Sequence, residues 1–183
     1  VFKYFEEISQ IPRGSGNEKA ISDYLKKFGE DLGLETIQDD TLNIIIRKPA
    51  TKGYENCPGV ILQGHMDMVC EKNKDTDHNF VTDPIKLRVE YDMIYATGTT
   101  LGADNGIAVA MGMAVLASNN LEHPAIEVLI TTDEEAGSGR ICGGLWEWKC
   151  SRQSGNAEKT GGICMREPVS GHEVVTKKKD CNN

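Results

Sequence analysis

The stretch 59-GVILQGHMD-67 decides how the chain is read. An apolar run this short, bounded by glycine, has the length of a strand rather than a helix. It stops abruptly on an imidazole and a carboxylate two residues apart. In extended backbone, residues i and i+2 point to the same side, so His65 and Asp67 form a pair. A neutral imidazole is a good metal ligand, and its second N–H commonly goes to a carboxylate that fixes the tautomer. A partly buried His–Asp hydrogen bond without metal is the plainer alternative for these two residues alone.

Two other stretches share this character. The apolar run 125-AIEVLITT-132 leads into Asp133, Glu134 and Glu135. Three adjacent carboxylates at a strand end repel one another. Either water solvates all three or divalent cations offset the repulsion. In the second case Glu135 ligates a metal, and Glu134 faces substrate as a general base. The segment 102-GADNG-106 opens a helix of small and apolar residues. Asp104 there reads either as a helix N-cap or as a carboxylate bridging two metals. Ligands of open α/β sheets gather outside the carboxyl ends of strands, where both charged clusters fall. Together, His-x-Asp, an Asp 37 residues later and Glu-Glu 30 residues after that form the layout of a two-metal hydrolase.

The remaining order supports an α/β sandwich around a mixed sheet. A helix is expected over about residues 1–9. Ser15 and Glu18 read as a capping box for a second helix with Ala20, Ile21, Tyr24, Leu25, Phe28 and Leu32 at helical spacing, stopped by Gly33. "LETIQDD" and "LNIIIRK" read as strands around an Asp39-Asp40 turn, 59–65 as a strand buried on both faces, and "IKLRVEYDMIYAT" as an edge hairpin. No internal repeat is visible.

The chain has 183 residues, 39% hydrophobic and 26% charged, enough for one domain with a core. A net charge of −8 argues against a non-specific nucleic-acid binder. No apolar run approaches the roughly 20 residues that span a bilayer. The start lacks signal-peptide character, and its first residue, Val, is expected of a fragment or processed chain. Only two of the six cysteines, Cys57 and Cys70, precede residue 138. A reducing cytoplasm fits that usage.

The segments "LQGHMDMVCEK", "TTLGADNGIAVAMGMAVL" and "EVLITTDEEAG" resemble the motifs of the M20 metallopeptidases, within them the aminoacyl-histidine dipeptidase branch, also called cytosolic non-specific dipeptidases. "FEEISQIPRGSGNEKAISDYL" is similar to that branch's opening helices. The resemblance covers residues 1 to about 138 and implies the zinc-peptidase α/β sandwich, here incomplete. It implies that His65 binds one zinc and Asp67 orients it, that Asp104 bridges two zincs through a cis Asp104–Asn105 peptide, that Glu134 is the general base, and that Glu135 binds the second zinc. Cobalt or manganese are alternative metals. Small peptides are the implied substrates, and a homodimer is allowed for the full-length protein.

From residue 139 to 183 the chain is rich in Cys, Gly and Lys and lacks amphipathic periodicity. It reads as a divergent tail, disordered and frameshifted in origin, with the lid or dimerisation domain absent. Glu158 and His172 within it, like His78 and His123 earlier, are not expected to be ligands. Two readings therefore stand: a zinc dipeptidase, or a non-catalytic fragment of one. A related aminopeptidase or N-acyl amino-acid hydrolase is the runner-up among enzymes.

Overall fold

The apolar spacing of the first thirty residues folds as two helices. In the computed structural model, which describes residues 1–136 and the strand Cys164–Arg166, α1 is Phe2–Ser9 and α2 is Lys19–Asp31. Phe5 and Ile8 of α1 and Ile21 and Leu25 of α2 are buried. Gly33, at φ 69°, takes the left-handed conformation that follows the end of α2. The expected capping box does not form. The N-cap of α2 is Glu18, with no side-chain cap bond. Ser15 instead donates to the Asp67 carboxylate, 2.7 Å away. Ser15 lies three residues before that N-cap, so its hydroxyl is not at the position that meets the first-turn amides.

Five strands build the main sheet: β1 (Glu35–Gln38), β2 (Ile44–Lys48), β3 (Gly59–His65), β6 (Ile126–Thr131) and β7 (Cys164–Arg166). Two more, β4 (Leu87–Glu90) and β5 (Met93–Ala96), form the expected separate hairpin. The sheet order is β1-β2-β6-β3-β7. Only β3 and β6 are parallel; the other neighbours are antiparallel. Of the tail expected over 139–183, only the backbone of β7 is described, and Glu158 and His172 lie outside the described residues.

The connection from β3 to β6 passes through the hairpin and then α3 (Ala103–Ala117). Alternation along the strands decides what α3 meets. Ile44, Ile46, Val128, Ile130, Leu62 and Gly64 share one face by register. On that face Gly29 of α2 lies against Ile46, and Gly112 of α3 lies against Val128. Ile46, Val109, Met113, Val128 and Leu25 are each at most 2% exposed, so the core lies between this face and the helices. Each such side chain contributes about 1.5–3 kcal/mol by burial.

The opposite face carries Ile45, Arg47, Ile61, Gln63, Glu127 and Leu129. β3 is half-buried on both faces from Gly59 to Gln63, and buried at Gly64 and His65. This corrects the expectation of a strand buried on both faces: Val60 and Leu62 beside the helices are covered no better than Ile61 and Gln63 on the other side. None of the described helices is long and apolar enough to cross a membrane.

Gly64 is where α3 presses onto the end of β3. A Cβ there would lie 2.7 Å from Asn105 Oδ1 and 3.1 Å from Ala108 Cβ. Gly64→Ala is expected to destabilise the fold by about 1–3 kcal/mol through overpacking. Urea unfolding checks this, and an unchanged midpoint would show that α3 can retreat freely.

Candidate active site

The parallel pairing of β3 with β6 creates the site. Its register sets His65 beside Thr131. The residues that follow each strand, Met66-Asp67 and Thr132–Glu135, therefore leave the sheet side by side. α3 begins at the same rim, so Asp104 arrives there too. Asp104 lies in the first turn of α3 with non-helical φ −90° and ψ 105°. The N-cap is Gly102, not Asp104. The Asp104–Asn105 peptide is cis.

These placements bring four donors together. Donor atoms of His65, Glu134 and Glu135 all lie within 4.8 Å of one another. Asp104 Oδ1 stands 3.4 Å from His65 Nε2, and Glu134 Oε2 stands 3.9 Å from it. Two donors each about 2.0–2.1 Å from a tetrahedral ion lie roughly 3.3–3.4 Å apart, so the His65–Asp104 spacing suits a shared ion. The set of one imidazole and three carboxylates suits zinc and similar divalent metals.

Asp67 does not ligate from its position. Its side chain is fully buried and its carboxylate is a hub of bonds. Ser15 Oγ donates to Oδ2 at 2.7 Å, the Glu135 amide donates to Oδ2 at 3.1 Å, and the Glu134 amide donates to Oδ1 at 3.2 Å. Asp133, at φ 61°, bends the chain so that these two amides point inward. His65 Nδ1 is 3.4 Å from Asp67 Oδ1 but 3.1 Å from the Asp67 backbone carbonyl. The His–Asp pairing read from the sequence is thus shared between side chain and backbone. With Nδ1 facing these acceptors, Nε2 is turned toward Asp104 and Glu134.

Protonation follows from this wiring. Burial alone would raise the Asp67 pKa, but His65, Ser15 and the two amides carry it down from 3.8 to about 2. Burial alone would lower the His65 pKa, but Asp67 and Glu134 carry it up. Glu135 is pushed up, first by burial and then by Asp104, Glu134 and Asp67, against the pull of His65. A cation among these groups would relieve that repulsion.

Three participants were not assigned to this site from the sequence. Arg13 is buried at 2% exposure beneath the rim. Burial takes its pKa down to about 10, against the attraction of Asp67 and Cys70. Ser15 serves Asp67, and Glu18 Oε1 accepts from the Asp133 amide at 3.1 Å. The polar string 12-PRGSGNE-18 carries a loop signal and a capping signal, and neither reveals a buried partner. His78 and His123 lie in loops, buried at 7% and 6% exposure, and neither belongs to the donor group, in keeping with the expectation that they are not ligands. A cavity of about 400 Å³ bounded by Glu35, Arg47, Val60 and Glu127 lies at the other ends of the strands and holds none of the donors.

The model of peptidase family M20/M25/M40 matches residues 61–171, more than half of the chain and all three donor segments. The chain belongs to that family. The matched stretch continues past residue 138, so part of the tail aligns with the family as well. The cytosol non-specific dipeptidase of Escherichia coli is 44% identical over 144 residues, which are 79% of this chain and 30% of that protein. The structure of aminoacylhistidine dipeptidase from Vibrio alginolyticus superposes with a TM-score of 0.77 at 46% identity, over 80% of this chain and 30% of that one. A Staphylococcus aureus tripeptidase superposes at 0.61 with 28% identity, over 74% of this chain and 36% of that one. The mixed α/β fold is thus the fold of M20 peptidases. The chain spans about a third of the length of these relatives.

Asp67 supplies a test of the wiring. Its folded pKa is depressed, so its contribution is fully present above the unfolded value of 3.8 and lost as pH falls through about 2. The shift corresponds to about 2 kcal/mol. Asp67→Asn is expected to be less stable than the parent near neutrality, with the gap narrowing as pH drops from about 4 towards 2. Thermal melts across that range check it. A gap independent of pH would show that the Asp67 charge is not held by these bonds.

Proposed function

We propose that the rim of His65, Asp104, Glu134 and Glu135 is a divalent-metal site for hydrolysing small peptides, with dipeptides, including those ending in histidine, as the substrate class. The observation that carries it is the convergence of one imidazole and three carboxylates from three distant segments at the ends of two strands. The names of the Escherichia coli and Vibrio alginolyticus relatives supply the substrate class.

His65 and Glu135 would each hold a metal, Asp104 would serve as the carboxylate shared between them, and zinc would be the metal, with cobalt or manganese as alternatives. When bound, such a pair supplies Lewis acidity toward the scissile carbonyl and toward a water molecule. The side chain of Glu134 is 42% exposed and stands free to take a proton from the attacking water and return it to the departing amine. Asp67 fixes the orientation of His65 and the fold of the Glu134–Glu135 turn without touching substrate. A cytoplasmic setting agrees with the relative's name and with Cys57 and Cys70 both being free and exposed.

A second reading is a metal-holding part of such an enzyme that turns over little by itself. The donor count favours it, because three side chains of the described residues, His65, Asp104 and Glu135, would serve two ions, each of which needs about four ligands.

The experiment is zinc titration by calorimetry together with hydrolysis of an Xaa-His dipeptide, for the 183-residue chain and for Glu134→Gln. Zinc-dependent hydrolysis that falls about 10²–10⁴-fold in the variant, with zinc affinity retained, is expected of a general base. Zinc bound by both without hydrolysis supports the second reading. No zinc bound by the parent would overturn the metal site.

A further inference from the structure

We infer that Arg13 is a positioning residue that locks the two donor-bearing segments, 65–67 and 102–104, to one another. A single guanidinium reaches both. Arg13 Nη1 donates to the Met66 carbonyl at 2.9 Å, between His65 and Asp67. Arg13 Nη2 donates to the Gly102 carbonyl at 2.6 Å, two residues before Asp104. None of the four proposed donors touches the guanidinium, so Arg13 acts through backbone.

The surroundings hold this arrangement from every side. The Met68 amide donates to the Arg13 carbonyl at 3.1 Å, and Gly14 bridges Met68 in parallel. The backbone of the loop is therefore anchored to the same strand end that its side chain grips. On the other segment, a Cβ at Gly102 or at Gly106 would lie 2.5 or 2.7 Å from Nη2. The start of α3 thus rests directly on the guanidinium with no side chain between.

Burying a cation is costly. An apolar residue would fill the space at less cost, and Nε finds no partner among the described residues. What an apolar residue lacks is the two-pronged geometry. Arginine presents its N–H groups as a rigid planar fork, whereas lysine is a point charge on a flexible stem. Two carbonyls on separate segments need the fork. The nearby Asp67 charge offsets part of the burial.

The test compares the parent with Arg13→Lys and Gly106→Ala, by amide hydrogen exchange without metal and by zinc calorimetry. The calorimetric arm rests on the metal site proposed above; the exchange arm does not. Arg13→Lys is expected to speed exchange at Gly106, whose amide donates to Gly102, and at Met68, while Val128 in β6 keeps its protection. Its zinc affinity is expected to fall about 10–100-fold, the usual cost of losing a group that orients ligands. Gly106→Ala reaches the same contact from the helix. A Cβ there would lie 2.7 Å from Arg13 Nη2 and 3.2 Å from Phe5 Cε2, so the variant displaces the guanidinium by overpacking and leaves both carbonyl acceptors in the chain. A positioning role predicts lost zinc affinity with Val128 keeping its protection; a merely structural role predicts exchange rising equally at Gly106, Met68 and Val128.

Exchange rising equally at Gly106, Met68 and Val128 in Arg13→Lys would overturn the inference, as would parental zinc affinity in folded Gly106→Ala. Should the parent bind no zinc, the metal site fails and the contrast in exchange decides on Arg13 alone. If Arg13→Lys does not fold, the same contrast is read in Gly106→Ala.

Discussion

The buried carboxylate of Asp67 is the constraint on which this rim depends. A fully buried charge needs several donors, and here three come from two places in the chain: a hydroxyl from the loop before α2, and two amides from the turn after β6. Satisfying it draws the ends of β3 and β6 and the N-terminal loop to one point. Because the two strands are parallel and adjacent, the segments following them already leave the sheet together. Asp67 converts that proximity into a fixed turn, and that turn sets where Glu134 and Glu135 stand.

Charge is balanced in layers. Beneath the rim, Arg13 opposes Asp67 and ties two backbone segments with neutral acceptors. At the rim, His65 faces Asp104 and Glu134 at distances too long for good hydrogen bonds, and its spacing from Asp104 suits a shared cation. Above it the side chain of Asp104 is 85% exposed and open to solvent. Polarity thus rises from a buried, largely hydrogen-bonded floor to a carboxylate-rich opening. Such a gradient lets a site hold fixed geometry and still admit a charged ligand. The small residues of α3 serve the same end, since Gly106 and Gly112 let the helix approach the guanidinium and the sheet closely.

Membership of the M20 family fits this geometry, because the three segments carrying the donors all fall inside the matched stretch. The chain nevertheless corresponds to about a third of its relatives. The described helices cover one face of the sheet. The other carries Ile45, Ile61 and Leu129 beside the Arg47–Glu127 pair, whose Arg47 Nε lies 2.7 Å from Glu127.

Most elements were legible in the sequence because local patterns dictate them. Helical spacing placed α1 and α2, apolar runs placed β2, β3 and β6, and charged residues at the ends of two such runs marked His65, Asp67, Glu134 and Glu135. The order of segments and the family motifs were enough to nominate Asp104. Three things were decided only in the tertiary structure. Ser15 and Glu18 have the spacing of a capping box, yet Asp67 and the Asp133 amide are stronger or better-placed partners, and nothing local announces them. β3 reads as doubly buried, but the burial of a strand is set by what packs on each face. Arg13, in a polar loop of Gly and Ser, looks solvated, and its role arises because β3 and α3 converge on it from 53 and 89 residues away. Local propensity reports only near neighbours in the chain; a buried charge is satisfied by whatever the fold brings to it.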